Sequence, residues 1–119
     1  RFGCCKAPRH ISWSDQNRSQ LIRIPAATGE YRRAELRSPD PMCNPYLAFA
    51  LLIYAGLDGI ARKLTLPQAL NADTTDALPL LPQNLDEAIG AAREDRVILD
   101  ALGKTLAGQI LDIYENSGR

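Results

Sequence analysis

From Tyr46 to Ala55 every residue is apolar or aromatic, and this run constrains the chain more than any other feature. Asn44 followed by Pro45 supplies a side-chain cap and a proline at the first helical turn, so a helix starts there. The pattern continues through Gly56 and Gly59 to Ile60, with Arg62 and Lys63 placed at the negative end of the helix dipole. The uninterrupted run is well short of the roughly 20 residues a bilayer requires, and Asp58 interrupts its continuation, so no membrane span is expected. A helix that is apolar nearly all round belongs in a core. Covering it on every side takes more packed structure than one hairpin and two amphipathic helices supply. The chain also begins at Arg1 with no charged-then-apolar leader, so the expectation is a fragment whose natural start lies upstream.

The flanking sequence reads as strands before this helix and helices after it. Residues 9–15 place Arg9, Ile11 and Trp13 on one parity and His10, Ser12 and Ser14 on the other, as in a half-buried strand. Residues 20–25 read as a second strand ended by Pro25, and residues 31–37 alternate again. The linking segment 26–30, with Gly29 available for positive φ, suits a hairpin loop. Pro39, Pro41 and Pro45 end the extended pattern. Residues 65–83, rich in Pro, Ala, Asp and Thr, read as a surface loop. Asn84 then caps a helix with Glu87 at the capping-box position and an apolar face of Leu85, Ala88, Ile89 and Ala92. Ile98, Leu102, Leu106, Ile110 and Ile113 follow helical spacing, and Gly103 divides or bends that segment. The expected class is α+β, antiparallel strands followed by helices, with strands in 1–40 and mainly helix in 44–119.

Fourteen Lys and Arg balance fourteen Asp and Glu, so the charge does not suggest a nucleic-acid or membrane binder. Residues 1–40 nevertheless carry eight basic and four acidic side chains, and are therefore the anion-facing part. Cys4, Cys5 and Cys43 have no CxxC spacing and His10 is the only histidine, which disfavours a zinc site and fits reduced cysteines in the cytoplasm.

Arg33, Glu35 and Arg37 share one face of a strand by their i, i+2, i+4 spacing. If segment 26–30 closes a regular hairpin, Arg23 lies opposite Arg33 on that same face. Like charges directly opposite are destabilising, so a phosphate or similar anion among the guanidinium groups would rationalise the arrangement. Spacing alone fits an exposed ion-pair row as well. A carboxylate among arginines stays ionised, which makes Glu35 a better ligand for a hard cation than a general base. His10 has no acidic partner nearby in sequence and reads as a surface or packing residue. Trp13, Tyr46, Phe49 and Tyr54 read as core rather than as base-stacking side chains.

The ordered series NRS, IRIP, RxELRxPD, NPYLAFA and AGLDGI, beginning at Asn17 and ending at Ile60, resembles the C-terminal segment of the catalytic domain of bacterial type I glutamine synthetases. PxNLDEAI from Pro82 and the later VILDALG stretch extend that resemblance over nearly the whole chain. It implies a ligase that phosphorylates the γ-carboxylate of glutamate with ATP and lets ammonia displace the phosphate, with Mg²⁺ or Mn²⁺ as cofactor. It further implies that Arg18 and Arg23 hold ATP and the transferred phosphate, and that Arg33 lines the nucleotide site. Glu35 matches a metal ligand, and Arg37 matches the arginine that binds glutamate or the γ-phosphoryl group. The family's other metal ligands would lie upstream of Arg1, and its members form homo-oligomeric rings, mostly dodecamers. Two features depart from the family pattern. Lys6 stands before Ala7-Pro8 where the family has a flap Glu that handles ammonium, and the loop at 67–83 has no Tyr to match the adenylylation tyrosine of some members. Lys6 keeps two alternatives open: a γ-glutamyl-amine synthetase, or a non-catalytic relative serving binding or assembly.

Overall fold

The computed structural model describes residues 7–70 and 78–117. The chain divides into two compact units, one of residues 1–41 and 67–83, the other of residues 42–66 and 84–119. Among the described residues a small three-stranded sheet precedes four helices in sequence, an α+β arrangement.

In the first unit the strands are β1 (Trp13–Ser14), β2 (Ile22–Arg23) and β3 (Glu35–Leu36), in the order β1-β2-β3. The β2–β3 pair is antiparallel, as expected, but β1 and β2 run parallel. The amides of Ile22 and Ile24 donate to the carbonyls of Ser12 and Ser14 at 3.1 and 2.9 Å. The polar segment between β1 and β2 therefore carries the chain back to the start of the sheet instead of turning tightly, which an antiparallel hairpin would need. The expected surface loop at 65–83 also differs at its described ends. Ile11 N–H donates to Pro79 O at 2.9 Å, Leu81 N–H to Arg9 O at 2.8 Å and Leu70 N–H to Trp13 O at 2.9 Å. Trp13 Nε1 donates to Pro67 O at 2.8 Å. Backbone pairing of this kind needs no side-chain periodicity and leaves no pattern in the sequence.

Alternation along β1 is present, with the polar parity inward. Ser12 and Ser14 are buried while Ile11 is exposed. Burial of hydroxyls is tolerable where they are hydrogen-bonded, and these are: Ser12 Oγ bonds Gln20 Oε1, and Ser14 Oγ accepts from two backbone amides.

The second unit holds α1 (Pro45–Ala61), α2 (Leu85–Glu94), α3 (Arg96–Leu102) and α4 (Lys104–Ser117). Asn44 caps α1 as expected, its Oδ1 accepting from the amides of Tyr46 and Leu47 at 3.0 and 3.3 Å. Such caps contribute about 1 kcal/mol. The helix ends in a Schellman arrangement, with Leu64 N–H to Gly59 O and Lys63 N–H to Ile60 O, both 3.0 Å. This puts Lys63 at φ 52°, in the left-handed region that glycine usually occupies. Asn84 and Glu87 form the expected reciprocal cap of α2: the Glu87 amide donates to Asn84 Oδ1 at 2.8 Å and Asn84 Nδ2 to Glu87 Oε1 at 2.7 Å. Gly103, at φ 74°, separates α3 from α4.

Helix α1 packs on α3, α2 on α4, and α3 on α4. Leu47, Ala48 and Leu51 of α1 meet Ile98, Leu102 and Ile110 around an apolar cavity of about 250 Å³. Contrary to expectation, α1 is not buried all round. Tyr46, Phe49, Ile53, Leu57 and Ile60 are spaced by three or four residues, so they form one stripe, and that stripe is exposed. The helices packed on α1 in this unit occupy only its other side. Tyr54 is also exposed, and Trp13 is half-buried, so the aromatic side chains are not a core. The break at Gly103 resets the helical phase as well. Leu106 and Ile113 are exposed, whereas Ala107 is buried and Ile110, Leu111 and Tyr114 line the cavity.

Asp58, a mere interruption in the sequence pattern, ties two helices together. Its carboxylate receives Arg96 Nη2 of α3 at 2.6 Å and Arg62 Nη1 at 3.2 Å. Among the described residues no helix is long and apolar enough to cross a membrane.

Candidate anion and metal site on the β2–β3 ribbon

The face shared by β2 and β3 carries the charged residues singled out in the sequence. Arg23 pairs directly with Glu35, and Ile22 with Leu36. The expected partner of Arg23 was Arg33, two residues away. A 3-10 turn at Gly29–Tyr31 takes up chain that a short hairpin loop would have left for pairing. An even slip preserves the face of every side chain, so the cluster survives the change of register. Its electrostatics change, because a carboxylate rather than a guanidinium stands opposite Arg23, and the like-charge argument for an anion falls.

Glu35 bridges two arginines. Arg23 Nη1 donates to Oε2 at 3.1 Å, while Arg33 Nη2 and Nε donate to Oε1 at 2.9 and 3.1 Å. Partial desolvation pushes the Glu35 carboxyl upward in pKa, but the hydrogen bonds from Arg33 and Arg23 and their charges outweigh it, so the net shift is down. The group is therefore held ionised and is a poor proton acceptor. Arg23 Nε is buried and has no hydrogen-bond partner among the described residues. The ladder continues beyond β3, with Arg37 N–H donating to Leu21 O at 2.9 Å, which keeps Arg37 two residues along from Glu35 on the same side of the ribbon. Arg18 lies apart, exposed on the segment linking β1 to β2, and is not among the hydrogen-bond partners of Glu35. Lys6, Cys4 and Cys5 lie outside the described residues, as does 71–77 of the loop without tyrosine.

Among the described residues no group of three or more His, Cys, Asp or Glu converges to hold a metal ion. Glu35 does meet the demands on one ligand. It is ionised, and among the described residues Oε2 takes a single hydrogen bond, which leaves a lone pair. Mg²⁺ is commonly held by one or two carboxylates together with substrate phosphates and waters, and Glu35 fits such a set.

Residues 3–116 match the family model described as "Glutamine synthetase, catalytic domain". The chain belongs to the glutamine synthetase family. It is 44% identical over 119 residues to a glutamine synthetase of Thermotoga maritima and 41% identical over 117 residues to one of Methanococcus voltae, covering 92% and 91% of this chain. A Thermus thermophilus glutamine synthetase is 47% identical over 108 residues, 83% of this chain. The matched region is 27%, 26% and 24% of those relatives, so the chain spans about a quarter of the length of the curated relatives it matches.

Residue type alone does not announce the buried polar set of Ser12, Ser14 and Gln20, all at or below 9% exposure, which flanks the segment carrying Arg18. Its signal was the common parity of Ser12 and Ser14, which polarity alone argued against burying.

The downward pKa shifts of Glu35 and Asp58 set an expected pH dependence. For Asp58 the hydrogen bond from Arg96 is the largest cause. Both folded-state values lie below the unfolded ones, so the stability these groups contribute is complete above the unfolded values and is lost as pH falls through the folded ones. Denaturant unfolding of the 119-residue chain at pH 7 and pH 3 will give a lower midpoint in acid. Asp58→Asn will shrink that difference; an equal drop in the variant would show that the ion pairs of Asp58 do not carry it.

Proposed function

We propose that the full-length protein containing this chain is a glutamate–ammonia ligase, which makes glutamine through γ-glutamyl phosphate at the expense of ATP. The observation that carries this reading is the Glu35 carboxylate held ionised between Arg23 and Arg33 on one ribbon face, in a chain of the glutamine synthetase family. Phosphoryl transfer asks chiefly for positioning and for charge to be met as it develops. Arg18, Arg23 and Arg33 bind the ATP phosphates, and Arg37 orients the glutamate carboxylate and the γ-phosphoryl group. The buried Nε of Arg23 supports an oxygen acceptor at this face, since an unpaired buried donor is costly. Glu35 is one ligand of bound Mg²⁺ or Mn²⁺, which supplies Lewis-acid neutralisation of phosphate charge. The carboxylate itself takes no proton. Transfer of the γ-phosphoryl group to the glutamate γ-carboxylate releases ADP and leaves an acyl phosphate; ammonia then forms the C–N bond and gives up a proton to solvent, and the carbon–oxygen bond breaks with inorganic phosphate as the leaving group. The full-length protein is further proposed to be cytoplasmic and a homo-oligomeric ring of the dodecameric kind.

Lys6, in place of the flap carboxylate that the resemblance leads one to expect, favours a second reading as a γ-glutamyl-amine synthetase or a non-catalytic relative. A cation there repels ammonium and accepts no proton while charged. The test is to supply the full-length protein with ATP, glutamate, Mg²⁺ and either ammonium or a panel of primary amines, and to measure amide product and phosphate. Glutamine as the main product, increased by Lys6→Glu, supports the ligase reading with Lys6 as a brake on ammonium use. A larger amine consumed in preference to ammonium supports the second reading, and no phosphate release with any amine rules out both ligases.

A further inference from the structure

Arg18 is exposed and lies on an irregular segment, yet the backbone around it is held on both sides. The fully buried Ser14 presents Oγ to the amides of Gln16 and Asn17, which donate at 3.1 and 2.9 Å. On the other side, Asn17 Oδ1 accepts the amide and hydroxyl of Ser19 at 2.9 and 2.7 Å. Ser19 Oγ accepts in turn from Gln20 Nε2 at 3.2 Å, and Gln20 is buried against the Ser12 hydroxyl. Ser14 also reaches the ribbon. It pairs with Arg23, and its carbonyl accepts the Ile24 amide at 2.9 Å.

We propose that Ser14, with Asn17, is a positioning residue for Arg18, fixing the backbone from which that guanidinium reaches an ATP phosphate. The inference rests on the reading of Arg18 as a phosphate-binding side chain. A long flexible side chain loses conformational freedom when it binds an anion, and anchoring its backbone beforehand reduces what remains to be ordered. Ser14 touches no ligand itself; it acts through the amides of Gln16 and Asn17.

The test is a double-mutant cycle read as ATP affinity, measured by titrating the full-length protein with ATP in the presence of Mg²⁺, so that loss of turnover does not silence it. Arg18→Ala is expected to weaken binding by roughly tenfold or more, as loss of a charged hydrogen bond does. Ser14→Ala is expected to weaken it several-fold in the wild-type background and to change nothing when Arg18 is already Ala. Asn17→Ala, at a partly exposed position, repeats the cycle should Ser14→Ala fail to fold as judged by circular dichroism. The same loss in both backgrounds would overturn the inference, because Ser14 and Asn17 would then act on the fold at large. So would unchanged affinity in the Ser14 and Asn17 single variants. Unchanged affinity in Arg18→Ala would instead overturn the reading of Arg18 on which the inference stands.

Discussion

Glu35→Gln is expected to lower ATP-dependent glutamine formation by the full-length protein by about a hundredfold or more, and to shift its Mg²⁺ or Mn²⁺ titration to higher concentration. The substitution keeps the shape of the side chain and removes its charge. A carboxylate offers acceptors at both oxygens, which is how Glu35 receives Arg33 on Oε1 and Arg23 on Oε2. An amide offers one acceptor and one donor group. With the amide oxygen facing Arg33, the amide nitrogen would stand donor-to-donor against Arg23 Nη1, and the two guanidinium groups would lose the charge that lies between them. The proposed metal ligand is lost in the same step. Glu30→Gln, on the exposed 3-10 turn, is the control and should leave rate and metal titration alone. A Glu35→Gln protein with wild-type rate and an unshifted metal curve would remove Glu35 from the site.

The parts of the fold legible in the sequence were those governed by local hydrogen bonds. Asn44-Pro45, Asn84 with Glu87, and Gly103 each act within a few residues, and the structure has all three at helix boundaries. The shared face of Arg23, Arg33 and Glu35 was also legible, because strand parity survives an even slip of register. The register itself was not, since the length consumed by the 3-10 turn at Gly29–Tyr31 is not written in residue spacing. Parallel pairing of β1 with β2 leaves no signature either, because it is made by the backbone of Ser12, Ser14, Ile22 and Ile24. The apolar run of α1 told what its side chains would gain from burial. It could not tell what would be there to cover Phe49, Ile53 and Leu57. As for chemistry, spacing located the charged cluster, while the roles of Arg18, Arg23, Arg33, Glu35 and Arg37 came from the family resemblance and stand as proposals.

The 119-residue chain by itself is expected to make no glutamine, even though it carries the whole β2–β3 ribbon. Acyl-phosphate formation requires ATP, glutamate and metal to be held together, and a misplacement of about 1 Å already costs roughly a hundredfold in rate. Among the described residues one carboxylate of the cluster is available to a metal, and no group of three potential ligands converges anywhere. Mg²⁺ demands near-octahedral coordination, which one carboxylate, phosphates and water satisfy only when further groups hold the phosphates still. Arg33 is exposed, with 55% of its side chain in solvent, where screening weakens its contacts. Weak binding of ATP through Arg18, Arg23, Arg33 and Arg37 is therefore expected, without turnover. The measurement is glutamine and released phosphate from the isolated chain with ATP, glutamate, ammonium and Mg²⁺ or Mn²⁺, set against a no-protein control. Turnover above that control, abolished by Glu35→Ala, would show that these residues assemble a working site unaided. Binding of ATP without turnover, weakened by Arg23→Ala and by added salt, is the expected result: the ribbon supplies charge to the phosphates and the remaining requirements of catalysis are unmet.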